Sequence, residues 1–289
     1  MADCIPGTCG CPAPKCPCTC GKTFGPVDLR RVWRVGTSAD YFPFEDYDPN
    51  GALFGFDIDL VKIVAERLRF VVDFHDMDFD SLFPALGVRY IDVIAAAVSE
   101  TPERRRFADF TDPYFESWMV LLSHEGDIDD REPLDLGQLN GKIVAAQSGT
   151  TQEEILIDIR DGDGITGSPF EKPLAPYMLV YSHASLPTIV NQMIVNDEID
   201  DGKTVKGIIH AVIMIDKVAD NYVRRSAEIP LEHTNEAFLE IVETCSFALP
   251  LGSSLVEIIN GIIGDLRKEG ELDRLIEKWF GGRSIEQTP

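Results

Sequence analysis

The 289-residue chain is 44% hydrophobic and 26% charged, enough apolar material for one large domain or two modest ones. Its 26 Lys and Arg stand against 49 Asp and Glu, a net charge of −23. That balance argues against a nucleic-acid binder built on basic patches and describes a solvated acidic surface. No run approaches the roughly 18 apolar residues of a membrane helix, and no signal-peptide core follows Met1, so the chain is either cytosolic or has lost a targeting segment.

The chain opens on a Cys-, Pro- and Gly-rich tail over 1–26 that has too few large apolar residues to build a core. It carries six of the seven cysteines: Cys4, Cys9, Cys11, Cys16, Cys18 and Cys20. The spacing of the last three resembles soft-metal thiolate clusters but lacks the paired spacing of an ordinary zinc site. A flexible tail with disulfides, a metal or redox cluster, and a mis-assigned start are the open readings. The seventh cysteine, Cys245, lies in an apolar strand-like run and reads as a buried small hydrophobe.

From Val32 the pattern is that of a folded domain. Val32–Gly36 reads as a strand, Asp48–Gly51 as a turn, and a helix from about Asp57 places Leu60, Val61, Val64 and Leu68 on one face. Phe70–Phe74 is a second strand, Ser81–Leu86 a short helix and Ile91–Ala96 a third strand, a rhythm that predicts a parallel sheet covered by helices. Ser117–Leu122 is a further strand, followed by an acidic stretch over 126–135. The rhythm then restarts with strand Ile143–Ala146, a turn over 148–151 and a helix from about Gln152. A Gly- and Pro-containing loop over 161–176, a helix over Pro187–Val195 and a strand over Ile208–Ile215 complete a second α/β unit. At the end, Ser254 and Glu257 fit a capping box, and Leu255, Ile258, Ile259, Ile262, Ile263 and Leu266 form a helical stripe that Gly270 ends. Leu272, Leu275, Ile276, Trp279 and Phe280 form a second stripe, ended by Gly281; both stripes read as core.

The segment Ala95-Ala96-Ala97-Val98-Ser99-Glu100-Thr101-Pro102-Glu103-Arg104 carries the chemistry. A turn of small residues, a hydroxyl and an Arg about one helical turn later make a place to hold a carboxylate. Guanidinium presents a planar fork of donors, and backbone N–H groups at a helix start add positive potential. The five histidines are scattered without metal-ligand spacing, and no Ser-His-Asp, HExxH or Cys-His pattern occurs.

Gly36–Glu45 and Gly55-Phe56-Asp57-Ile58-Asp59-Leu60 are similar to motifs of the family 3 extracellular solute-binding proteins, the polar amino-acid receptors of ABC importers. So are Asp78-Phe79-Asp80, Ser99–Arg104, Phe110–Tyr114, Gln147–Glu153 and the ending Leu275–Gly281, in order across Val32–Gly282. The resemblance implies an α/β fold of the periplasmic-binding-protein type II, with two lobes joined by a two-strand hinge and a ligand between them. Lobe 1 would comprise 27–116 plus 248–289 and lobe 2 would comprise 117–247. The crossings would lie near Tyr114–Met119 and Cys245–Leu249, and ligand would close the cleft by hinge motion.

The resemblance also implies roles for single residues. Arg104 would bind the ligand carboxylate, with Ser99 adding its hydroxyl and N–H, while Thr151 and Thr150 approach from lobe 2. Arg105 and Arg106 read as surface residues. The Ala97 carbonyl and the Asp216 carboxylate would meet the ammonium, and Tyr41 and Phe79 would wall the side chain. Gln147 would face the distal end of that side chain. Ser38 stands where basic-amino-acid receptors often carry Asp, and Glu100 or Glu45 could restore negative charge. The implied protein is an extracytoplasmic, monomeric receptor for a polar or basic L-amino acid, arginine or lysine ahead of glutamine. It would use no cofactor or metal and would serve an ABC permease. The alternatives are a cyclohexadienyl-dehydratase-like enzyme and an amino-acid-sensing domain on the same scaffold; a chain ending just past its last helix favours the free receptor.

Overall fold

The computed structural model describes residues 31–131, 135–162, 172–202, 205–226, 228–235, 239 and 241–281. The cysteine-rich tail, and with it every reading of its six cysteines, lies outside the described residues, as does much of the loop over 161–176.

The first α/β unit begins with β1 (Val32–Thr37), a short hairpin of β2 (Asp46–Tyr47) and β3 (Leu53–Phe54), and α1 (Phe56–Leu68). β4 (Val71–Asp76), α2 (Phe79–Gly87), β5 (Val93–Ile94) and β6 (Ala108–Phe110) follow. Gly55 admits the chain into α1: its φ is 139°, and a Cβ there would sit 2.0 Å from the Phe44 carbonyl oxygen. The buried face of α1 carries Leu60, Val61 and Val64, the helical stripe expected from the sequence. The third strand is shorter than expected, because only Val93 and Ile94 pair before the chain turns at Ala97.

The second unit runs from β7 (Phe115–His124) through β8 (Ile143–Gln147), α3 (Thr151–Asp161), β9 (Leu179–His183) and α4 (Leu186–Ile194). It continues with β10 (Glu198–Asp200), β11 (Lys206–Ile215), α5 (Asp216–Arg225), β12 (Leu231–His233) and β13 (Val242–Cys245). The chain then returns to the first unit with β14 (Ala248–Pro250), α6 (Leu255–Lys268) and α7 (Glu271–Phe280).

One sheet has the order β4-β1-β5-β14-β6 and the other β12-β7-β11-β8-β9, with β10 on β11 and β13 on β7. Neither sheet is wholly parallel. β14 runs antiparallel to both its neighbours, and β7 antiparallel to β11, because these strands carry the chain between the sheets. The two crossings bond to each other along their length. Thr111 N–H donates to the Phe247 carbonyl at 3.0 Å, Tyr114 to Cys245 at 2.8 Å and Met119 to Ile241 at 2.9 Å. The fold is thus two α/β lobes joined by a two-strand hinge, of the periplasmic-binding-protein type II.

The returning helices close lobe 1. Phe280 of α7 stacks on Phe115 with ring centroids 4.4 Å apart and meets Phe44 and Phe56 at 5.0 and 5.1 Å. Gly281 ends α7 in the left-handed region, as its position suggested. The capping box at Ser254 does not form. Ser254 is already helical and its side chain makes no cap bond; the Leu255 N–H instead donates to Ser253 Oγ at 3.3 Å.

Candidate functional site

The loop ends of both sheets meet at one cleft of about 400 Å3, mouth included. It is lined by Ser38, Tyr41, Phe79, Ala97, Ser99, Arg104, Gln147, Thr150 and Thr151 from the sequence-predicted set. Asp216 is the member outside the lining residues. As the first residue of α5, directly after the lining residue Ile215, it accepts from Ser117 Oγ and forms an ion pair with Lys217. Glu100 also lies outside the lining, in an exposed ion pair with Arg105.

Lobe 1 supplies the cationic group. The turn after β5 holds Ala97 at φ 46°, a left-handed conformation unusual for a residue with a Cβ. Its N–H donates to Asp57 Oδ2 at 2.8 Å, and Tyr114 Oη donates to the same oxygen at 2.8 Å. Burial nonetheless pushes the Asp57 carboxyl up to about 7. Past this turn, Arg104 opens a short 3-10 segment with Arg105 and Arg106, which are exposed, whereas Arg104 is only 7% exposed. Its Nη1 donates to the Ser99 carbonyl at 2.8 Å and its Nη2 to the Gly149 carbonyl at 3.1 Å. The guanidinium carbon lies 5.5 Å from the Phe79 ring centre and 5.2 Å from that of Phe83. Among the described residues no carboxylate comes within ion-pair distance of it. Burial lowers its pKa, opposed by the charges of Glu243 and Glu154.

Lobe 2 supplies donors at the start of α3. Thr150 caps the helix, accepting from the Glu153 N–H at 3.3 Å and donating to the Gln147 carbonyl at 2.6 Å. Gln147 itself reaches lobe 1: its Nε2 donates to Asp40 Oδ1 at 3.1 Å, and also to the Ala184 carbonyl at 2.8 Å. Burial at this contact raises the Asp40 carboxyl to about 6. Tyr41 spans the same gap, its Oη accepting from the Ile215 N–H at 3.5 Å.

Two acids complete the lining. Glu45 is 1% exposed, and its Oε2 has no hydrogen-bond partner among the described residues; burial, with Asp57 and Asp40 nearby, pushes its pKa well up. Glu243, on hinge strand β13, is the residue sequence reasoning missed. Its Oε1 accepts from Ser99 Oγ and from Thr151 Oγ1, and its Oε2 from Gln152 Nε2 at 2.8 Å. Burial raises its pKa while those donors and Arg104 oppose the rise. Gln152, Ile215, Ala96 and the free, buried Cys245 also line the cleft beyond the predicted set. Among the described residues no group of His, Cys, Asp or Glu is arranged to hold a metal ion.

The chain is 29% identical over 249 residues, 86% of either chain, to the arginine-binding extracellular protein ArtP of Bacillus subtilis (strain 168). Among solved structures it resembles an ancestral arginine-binding protein bound to arginine, at 32% identity and a TM-score of 0.72, covering 88% of this chain and all of that one (100%). It also resembles the ancestral amino acid-binding protein AncCDT-1, a precursor of cyclohexadienyl dehydratase, at 26% identity and a TM-score of 0.70 over 86% of this chain and 95% of that one. The model of the bacterial extracellular solute-binding proteins, family 3, matches residues 33–282, and the chain belongs to that family.

Proposed function

We propose that the protein is an extracytoplasmic receptor that captures a free polar or basic L-amino acid, arginine or lysine ahead of glutamine, and delivers it to an ABC permease. The observation that carries this reading is Arg104: a guanidinium 7% exposed, seated over two rings, with no carboxylate partner among the described residues. A buried cation of this kind is costly until an anion joins it. The Ser99 and Thr151 hydroxyls stand beside it to complete a carboxylate cradle. Charge balance supports the basic side chain. Glu45 and Glu243 are two buried carboxyl groups in the lining with Arg104, and the cationic groups of a basic amino acid would favour their ionised forms against the burial that raises their pKa. In this reading Glu45 takes the charge-restoring role for which Glu100 was the other candidate, and the ammonium role stays with the Ala97 carbonyl and Asp216. The arginine named for the relatives ArtP and the ancestral binding protein supports the same class.

The lobes would be 27–116 with 248–289 and 117–247, closing as a monomer about the paired crossings. The site works without catalysis in this proposal, and Glu243 is engaged by three donors. No described helix is long and apolar enough to cross a membrane, and the extracytoplasmic placement follows the family.

Calorimetry on refolded protein, freed of co-purified ligand, tests the reading. L-Arginine or L-lysine is expected to bind with micromolar or tighter affinity, and Arg104→Ala to weaken it at least about 100-fold, or about 2.7 kcal/mol. Tighter binding of acidic or aliphatic amino acids would refute the basic class. Turnover of prephenate or arogenate would establish the enzyme instead.

A further inference from the structure

Glu243 stands on the hinge, yet its carboxylate is not directed to the hinge strands. One oxygen takes the hydroxyl of Ser99 from lobe 1 and the hydroxyl of Thr151 from lobe 2, and the other takes the Gln152 amide of lobe 2 at 2.8 Å. The side chain is buried, and the guanidinium of Arg104 is the cation that acts on it. Ser99, Thr151 and Arg104 are the same groups that would hold the carboxylate of an amino acid. The protein therefore places a carboxylate of its own where the ligand's carboxylate would go, and that carboxylate is bonded to both lobes at once.

We propose that Glu243 is a built-in occupant of the carboxylate cradle: it holds the two lobes together before ligand arrives, and an incoming amino acid takes the cradle by displacing it. This rests on the amino-acid reading of the cleft. Two ionised carboxylates cannot share one set of donors without strong repulsion. Displacement therefore lowers the apparent affinity of the wild-type protein by the stability of the occupied cradle. A ligand without a carboxylate does not compete for the cradle and leaves Glu243 in place. Ligands with and without that group should thus respond differently when Glu243 is removed.

The test compares wild type, Glu243→Ala and Glu243→Gln by small-angle scattering without ligand and by calorimetry with L-arginine and agmatine. Agmatine keeps the amine and guanidinium of arginine and lacks its carboxylate. Both unliganded variants are expected to be more expanded than wild type and to compact when saturated with L-arginine. L-Arginine should bind the variants about tenfold more tightly, and agmatine should gain nothing. Unliganded variants as compact as wild type would overturn the proposal. So would an L-arginine affinity that falls or stays within about threefold, or an equal gain for agmatine. If Glu243→Ala does not fold, Glu243→Gln decides alone. If wild type binds no amino acid, the receptor reading fails, while the scattering comparison still decides whether Glu243 holds the lobes together.

Discussion

Arg104 and Asp57 are both buried charges, and the groups around them give them different work. Arg104 is solvated by two carbonyls and two rings that leave its charge unneutralised. Asp57 holds the Ala97 turn on which that guanidinium depends. Its carboxyl is raised from 3.8 to about 7 by burial, so the folded protein keeps that proton longer than the unfolded chain. The stability it contributes is complete below about pH 4 and is lost as pH rises through about 7. Urea unfolding of wild type and Asp57→Asn across this window should show the difference between them changing in that direction, by up to about 4 kcal/mol. Equal pH slopes would show that Asp57 is ionised throughout. At this scale the sequence was legible where a residue sits in a local pattern: Arg104 follows a small-residue turn and a hydroxyl within one short segment. Glu243 was not legible, because its partners Ser99 and Thr151 lie 144 and 92 residues away and only the tertiary fold joins them.

Among the elements, the β8–α3 loop fits closely against α2 of the other lobe. Gly149 has φ 75°, and a Cβ there would come within 2.8 Å of Asp80 Cβ in α2. Its carbonyl is also an acceptor for Arg104. Gly149→Ala should therefore weaken ligand binding about tenfold or more, through α2 being pushed from the loop. The unfolding free energy should fall by only about 1–2 kcal/mol, the cost of a left-handed alanine. Calorimetry and urea unfolding of the variant separate the two effects, and an unchanged affinity would show that this contact does not limit closure. The elements read most faithfully were those with many residues in register, α1, α6 and α7 (Phe56–Leu68, Leu255–Lys268 and Glu271–Phe280). β6 escaped, since a three-residue strand carries no period and owes its existence to the edge of β14, whereas β14 was legible only as the end of the crossing expected at Cys245–Leu249. α5 escaped because its ten residues are mostly polar, with only Val218 and Ala219 as buried apolar positions.

For the whole molecule, the sheets share two crossing strands and a cleft whose lips touch through Asp40 with Gln147 and Tyr41 with Ile215. A ligand bound between lobes stabilises both. At about 100 times its Kd a basic amino acid should add about 2.7 kcal/mol and raise the melting temperature by roughly 5–10 °C in scanning calorimetry. Arg104→Ala should lose that gain at the same ligand concentration. A shift confined to one of two separate transitions would place the ligand on a single lobe. The two-lobe plan was legible from the restart of the α/β rhythm near Ile143 together with the family motifs. Rhythm alone, however, suggested parallel sheets, and the antiparallel members come from strands that must leave one sheet to reach the other.

The place of β14 also governs the order in which the molecule can be built. It lies between β5 and β6, yet its residues, 248–250, follow every strand of the second sheet in the chain. As the chain emerges from its N-terminus, on the ribosome or from an export channel, the second lobe is therefore complete in sequence while the first still lacks an inner strand and the two helices that cover it. At about 5–20 residues per second this interval lasts a few seconds. During it the edges of β5 and β6 are unpaired, and Phe44, Phe56 and Phe115 lack the ring of Phe280. The lobe that emerges first is finished last, and the vulnerable species in biosynthesis is a chain whose insert has folded ahead of its host.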